Sequence, residues 1–331
     1  MKILGFIAAA AIALAGSFAF AQTDLPKLSA SDAGKIQFQS ANRGTGIDIL
    51  YKGKAKYDET IVGDLFLPSG AGKVPAMVVM HGSDGLGDST SSARSWAALL
   101  GQMGIATFLV DSFTPRGISS TGADQSLLTY TTSGIDALKA LELLASHPRI
   151  DPSRIGVIGF SRGAAAAQQA GFERFRAAVL TGTGLKFAVH VALYGGCTQY
   201  GTTTGVPILH LMGDKDSYSS EENCKRVTDL INAKGRSVRL VVYPGGLHGF
   251  DRESAKRRYV ASYQVWKDCA NTTSMDDLTS QIPGNERASI SQLIAYRKSC
   301  MGTGLDYGGD STSAYKARDE VKALLAKVFG Q

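Results

Sequence analysis

Residues 154–170, Arg-Ile-Gly-Val-Ile-Gly-Phe-Ser-Arg-Gly-Ala-Ala-Ala-Ala-Gln-Gln-Ala, decide the fold class. An apolar run as far as Phe160 reads as a buried strand, and the small-residue run after Gly163 reads as a helix. The turn between them, Gly159-Phe160-Ser161-Arg162-Gly163, fits G-x-S-x-G. Taken alone the motif means little, because at this glycine content a match arises by chance roughly 0.3 times per chain. Its position does carry meaning: strand, sharp turn, helix is the setting that exposes a serine Oγ above a sheet. The plainer reading is a glycine-rich turn with a capping serine.

Working outward, the same alternation recurs. Strands are expected over 61–68, 74–82, 106–111, 187–194, 206–212 and 237–243, with an outer strand near 36–38. Helices are expected over 92–103, 134–146, 221–234 and 317–329. The run Val-Pro-Ala-Met-Val-Val-Met over 74–80 has no polar face, as suits a strand covered on both sides. Alternating strands and helices predict an α/β fold: a mostly parallel central sheet with helices on both faces, in three layers. Ligands of such sheets bind outside the carboxyl ends of the strands. Only 270–313 breaks the rhythm, and it is expected to be a Cys-bracketed insertion before the last helix, acting as a lid, a docking surface or a plain loop.

The chain has 331 residues and opens with Lys2, an apolar run and Ala19-Phe20-Ala21. This predicts a signal peptide over 1–21 cut before Gln22, with residues 22–331 as one domain and a periplasmic or secreted destination. The rival reading is a membrane anchor; after cleavage no stable membrane insertion is expected. The net charge of +6 is scattered, and the tight cluster Lys256-Arg257-Arg258 reads as a solvated helix face, so no nucleic-acid partner is expected. The four cysteines, Cys197, Cys224, Cys269 and Cys300, show no C-x-x-C spacing, which argues against a metal site. Three pairings are open to them; we take the sequential one, Cys197–Cys224 and Cys269–Cys300.

A serine needs a base to become a nucleophile. Of the five histidines, His190 and His210 fall in apolar strand runs, His147 in a loop, and His81 in a glycine-rich turn. His248, in Pro244-Gly245-Gly246-Leu247-His248-Gly249, follows a strand and can reach back over the sheet. An acid must orient that imidazole. Asp216 is the candidate, with Asp214 as the alternative. The order Ser161, Asp216, His248 is that of the α/β-hydrolases. Two backbone N–H groups should receive the developing oxyanion, one from Arg162 and the other from Ser83 or Asp84. Arg116, in a loop after a strand end, is either a partner for a substrate carboxylate or the anchor of that loop.

On these residues the chain resembles the dienelactone hydrolase family. The segments that carry the resemblance are MVVMHGSDG (77–85), FLVDSFTPRG (108–117), HPRIDPSRIGVIGFSRG (147–163), LHLMGDKD (209–216) and YPGGLHGFD (243–251). The resemblance implies a nucleophile at Ser161, an acid at Asp216 and a base at His248. The best-known members carry cysteine at the nucleophile position, whereas this chain has serine. The reaction implied is acyl transfer to water from a small ester or lactone, with no cofactor. A peptidase or amidase, an acyltransferase, or a noncatalytic binding protein on the same scaffold are the alternatives.

Overall fold

The computed structural model describes residues 27–44, 46–89, 91–235, 238–253 and 255–330; the expected leader and its cleavage site lie outside them. The first half runs β1 (Gly34–Ser40), α1 (Gly46–Lys52), β2 (Glu59–Phe66), β3 (Val74–Met80), α2 (Ser92–Gln102), β4 (Ala106–Asp111), α3 (Tyr130–Ala145) and β5 (Ile150–Phe160). The middle of the chain forms α4 (Arg162–Gln169), α5 (Glu173–Val179), β6 (His190–Leu193), β7 (Gln199–Tyr200), β8 (Ile208–Gly213), α6 (Glu221–Asn232) and β9 (Val238–Tyr243). Then follow β10 (Arg258–Val265), β11 (Thr272–Ser274), β12 (Ser280–Ile282), β13 (Asn285–Ala288), α7 (Ile290–Cys300), β14 (Gly302–Tyr307) and α8 (Ser311–Phe329).

The main sheet has the order β1-β2-β4-β3-β5-β6-β8-β9. From β4 to β9 all neighbours are parallel, while β1 and β2 are antiparallel additions at one edge. Burial follows from this placement. The central strand β3 is covered on both faces from Pro75 to Met80, whereas the outer β2 buries alternate residues. Apolar residues of α3, α5 and α6 close one face of the sheet, and those of α2 and α8 close the other. The architecture is therefore the three-layer sandwich expected. Helix α8 starts at Ser311, six residues before the expected start, because Asp310 caps it by accepting from Ser313 N–H at 2.8 Å.

The segment after β9 is more structured than its polar composition suggests. Strands β10 and β14 form an antiparallel ribbon, and β11, β12 and β13 join β7 in a small second sheet. The structured excursion thus reaches back to Arg258. The basic cluster is not on a helix: Lys256 and Arg257 lie in an irregular stretch, and Arg258 opens β10. The helical expectation treated charge as a face, but here the register is set by pairing with β14. Disulfides join Cys197 to Cys224 and Cys269 to Cys300. His210 lies against the first of them, with its ring nitrogens 3.7 Å from Cys197 Sγ. Among the described residues no helix is long and apolar enough to cross a membrane.

Candidate active site

Four loops at the carboxyl ends of β3, β5, β8 and β9 converge on one cleft. Ser161 is the residue between β5 and α4, and its backbone is forced to φ 52° and ψ −113°, a conformation disfavoured for any residue with a Cβ. The strain persists because its surroundings leave no alternative. A Cβ on Gly159 would meet Gly163 O at 2.0 Å, and one on Gly163 would meet Met80 O at 2.2 Å. Strand β5, the start of α4 and the end of β3 therefore touch backbone to backbone, and the serine at their junction is pushed into the cleft.

His248 and Asp216 meet because their loops are locked together. Gly213 and Gly246 are in such close approach that a Cβ on Gly213 would lie 2.0 Å from Gly246 O. Lys215 N–H donates to Gly246 O at 3.0 Å. Asp214 holds the same junction, its Oδ1 accepting from Gly245 N–H at 2.6 Å. Asp216 then faces the imidazole. His248 Nδ1 lies 2.9 Å from Asp216 Oδ2, and His248 Nε2 lies 2.8 Å from Ser161 Oγ. Both members of the acid–imidazole pair are sheltered, His248 at 2% exposure and Asp216 at 3%. Asp216 Oδ1 also accepts from Tyr218 N–H at 2.7 Å, and the rings of Tyr194 and Tyr218 sit 4.8 and 5.2 Å from the imidazole.

Ser83 and Asp84 are the central residues of a tight turn closed by Gly85 N–H to Gly82 O at 3.2 Å, and both line the cleft with Ser161. The turn is braced from behind. Gln125 Nε2 donates to Ser83 Oγ at 3.0 Å, and the Arg162 guanidinium donates to Gln125 Oε1 at 2.8 Å and to Leu128 O. The Arg162 side chain thus supports the loop that faces its own backbone N–H. His81 serves the scaffold: its Nδ1 lies 2.8 Å from Gly82 O, and its Nε2 accepts from Ser112 N–H at 3.1 Å, while burial lowers its pKa.

The reading of Arg116 as a substrate contact does not hold. It is 3% exposed, and its fork is taken up by Asp136 in a bidentate pair of two 2.8 Å bonds, with further bonds to Ser112 O and Ala41 O. The loop carries the arginine to a strand end, but helix α3 presents a carboxylate there before any ligand can. The cleft walls that the sequence did not announce come from the excursion: Arg258, Tyr263, Leu305 and Tyr307, with Arg252 beside them. The Arg252 and Arg258 guanidiniums lie 5.5 and 5.1 Å from the Tyr307 ring. Tyr307 also bridges to His248, and Gly308 N–H donates to His248 O at 3.0 Å. The arrangement places a hydroxyl, an imidazole and a carboxylate in hydrogen-bonded series at the floor of a cleft of about 250 Å³.

The dienelactone hydrolase family model matches residues 61–275, a span that includes Ser161, Asp216 and His248. The chain belongs to the dienelactone hydrolase family. That membership supports a carboxylic-ester-hydrolase type of function. Among solved structures, the chain is similar to a dienelactone hydrolase-like promiscuous phosphotriesterase from metagenomic libraries, at 16% identity and a TM-score of 0.51, covering 89% of this chain and 99% of that one. It is also similar to Thermogutta terrifontis esterase 2 phosphoramylated by tabun, at 12% identity and a TM-score of 0.50, covering 87% and 95%. At such identities the likeness speaks to the fold. No curated protein matches the chain.

Proposed function

We propose that this dienelactone hydrolase family member is a serine hydrolase that cleaves short carboxylic esters or lactones through an acyl-enzyme. The observation that carries the reading is the unbroken series Ser161 Oγ, His248, Asp216, with contacts of 2.8 and 2.9 Å. In this mechanism Ser161 attacks the carbonyl carbon while His248 Nε2 takes its proton, and Asp216 stabilises the imidazolium through Nδ1–H. The backbone N–H of Arg162 and that of Ser83 or Asp84 receive the oxyanion, each donor contributing about 3 kcal/mol of transition-state stabilisation. The imidazolium returns its proton to the leaving alkoxide, and water activated by His248 then releases the acid. Charge in the cleft does not select the substrate, since Asp84 and Asp88 line it together with Arg252 and Arg258. Size does. A cleft of about 250 Å³ favours short acyl groups over long ones. An exported, oxidising destination fits the two disulfides and belongs to the same proposal.

The test is intact-mass analysis after exposure to a fluorophosphonate. One adduct on the parent, none on Ser161→Ala and greatly slowed labelling of His248→Ala are expected. An unlabelled parent would reject an activated serine and favour a binding role.

A further inference from the structure

Tyr218 walls two spaces, the catalytic cleft and a separate recess of about 90 Å³. The recess lies where the hydrolase core meets the excursion, between Tyr130 and Gln168 of the core and Trp266, Asn271 and Arg297 of the later segment. No Asp or Glu lines it. Arg297, from α7, makes one side-chain hydrogen bond among the described residues, a long one from Nε to Asn271 Oδ1 at 3.5 Å, and no ion pair. Crowding around it lowers its pKa below that of an ordinary guanidinium. Arg162 likewise bonds only to neutral oxygens, those of Gln125 and Leu128, and its guanidinium lies 4.5 Å from the Tyr130 ring. Two guanidiniums without carboxylate partners thus leave positive potential around Tyr130 and Tyr218, whose hydroxyls lie 2.7 Å apart.

A donor without a partner points the same way. Asn271 is 1% exposed, and its Nδ2 is buried with nothing to donate to. Gln168, 3% exposed, lines the same recess. Each buried donor left unanswered costs about 1–3 kcal/mol. A carboxylate supplies the opposite charge and two oxygens for a guanidinium fork. A site for one water needs roughly 10–15 Å³, so the recess has room for a carboxylate with a short alkyl stem.

We propose that this recess binds a small aliphatic carboxylate, held by Arg297, Asn271 and Gln168 and walled by Trp266 and Tyr218. The carboxylate is either a free acid or an arm of the substrate. Occupancy would reach the catalytic centre through Tyr218, whose N–H bonds Asp216 at 2.7 Å; this coupling rests on the catalytic reading, whereas the binding site does not.

Intrinsic fluorescence reads the site. The chain has two tryptophans, and Trp96 is a core residue bonded to Asp251 at 2.8 Å, which leaves Trp266 as the reporter. The protein is titrated with sodium propionate at constant ionic strength, with sodium chloride as the control. Saturable change is expected in the parent and in Ser161→Ala, with at least tenfold weaker affinity in Arg297→Gln and at least threefold weaker in Arg297→Lys, which keeps the charge and loses the fork. No saturable change beyond chloride, unaltered affinity in both Arg297 variants, or a signal that survives Trp266→Phe would overturn the proposal. Loss of the titration in Ser161→Ala would also overturn it, by placing propionate in the catalytic cleft. The two sources separate kinetically. A free acid is expected to change kcat for methyl butyrate in the parent and not in Arg297→Gln. A substrate arm is expected to make Arg297→Gln raise KM at least tenfold for monomethyl succinate and leave methyl butyrate unaffected.

Discussion

Two aspartates, Asp214 and Asp216, follow β8 within three residues, and only their side-chain directions separate their roles. Asp214 Oδ1 receives a backbone N–H from Gly245, while Asp216 receives His248 Nδ1. An amide at 216 can hold the imidazole only in the wrong tautomer, with Nδ1 accepting. Asp216→Asn is therefore expected to lower kcat on p-nitrophenyl acetate by about 10³–10⁴-fold. Asp214→Asn keeps an oxygen for the Gly245 N–H and is expected to cost less than about tenfold. If the two losses came out reversed, the acid would have to be reassigned to Asp214. Arg116 illustrates the opposite difficulty at this scale. Its loop and its guanidinium were readable as substrate-facing, but the carboxylate that claims it, Asp136, belongs to a helix twenty residues on and can be located only in space.

At the scale of elements, the turn between β5 and α4 stores strain that the close packing of β5, α4 and β3 enforces. Ser161 holds φ 52° and ψ −113°, which costs on the order of 1–3 kcal/mol for a residue with a Cβ. Glycine would relieve it at an entropic cost of about 0.5–1 kcal/mol. Both Ser161→Gly and Ser161→Ala remove the hydroxyl, so comparing their thermal midpoints isolates the backbone. Ser161→Gly is expected to be the more stable by about 1 kcal/mol, or roughly 2 °C. Equal midpoints would show that the turn is relaxed. Another element-level lesson is the ribbon of β10 and β14. Its first strand, RYVASYQV, carries strand-favouring tyrosine and valine, but its partner GTGLDY lies roughly forty residues on, so only the fold shows that the two pair and wall the cleft beside the His248 loop.

For the whole molecule, the two buried strand histidines tie stability to pH. Burial lowers the pKa of His190 to about 4 and that of His210 to about 4, while the unfolded chain titrates near 6.5. Below pH 6.5 the unfolded state takes up protons that the folded state refuses until about pH 4. Stability is therefore full above pH 6.5 and falls as pH falls through this window. By pH 5 each histidine is expected to have cost about 2 kcal/mol. Urea midpoints measured at pH 7 and pH 5 check the sign, and His190→Asn, which preserves a donor toward Ala167 O, should flatten the slope. A midpoint independent of pH across this range would mean that these rings are protonated or hydrated in the fold.

Local chemistry alone determined the alternation of strands and helices, the buried character of 74–80, the strand–turn–helix setting of Ser161 and the candidacy of Ser161, Asp216 and His248. Each of these is written within about ten adjacent residues as a run of apolar side chains, a glycine or a turn. Only the tertiary structure decided which partner each long side chain finds. It gave Arg116 to Asp136 and Arg162 to Gln125 and Leu128, set Tyr307 of the excursion against His248, and left Arg297 facing a recess with no carboxylate. The physical reason is range. Backbone propensity and hydrophobic periodicity act over a few residues, whereas a hydrogen bond or an ion pair depends on atoms within about 3 Å that the chain brings together from a hundred residues apart.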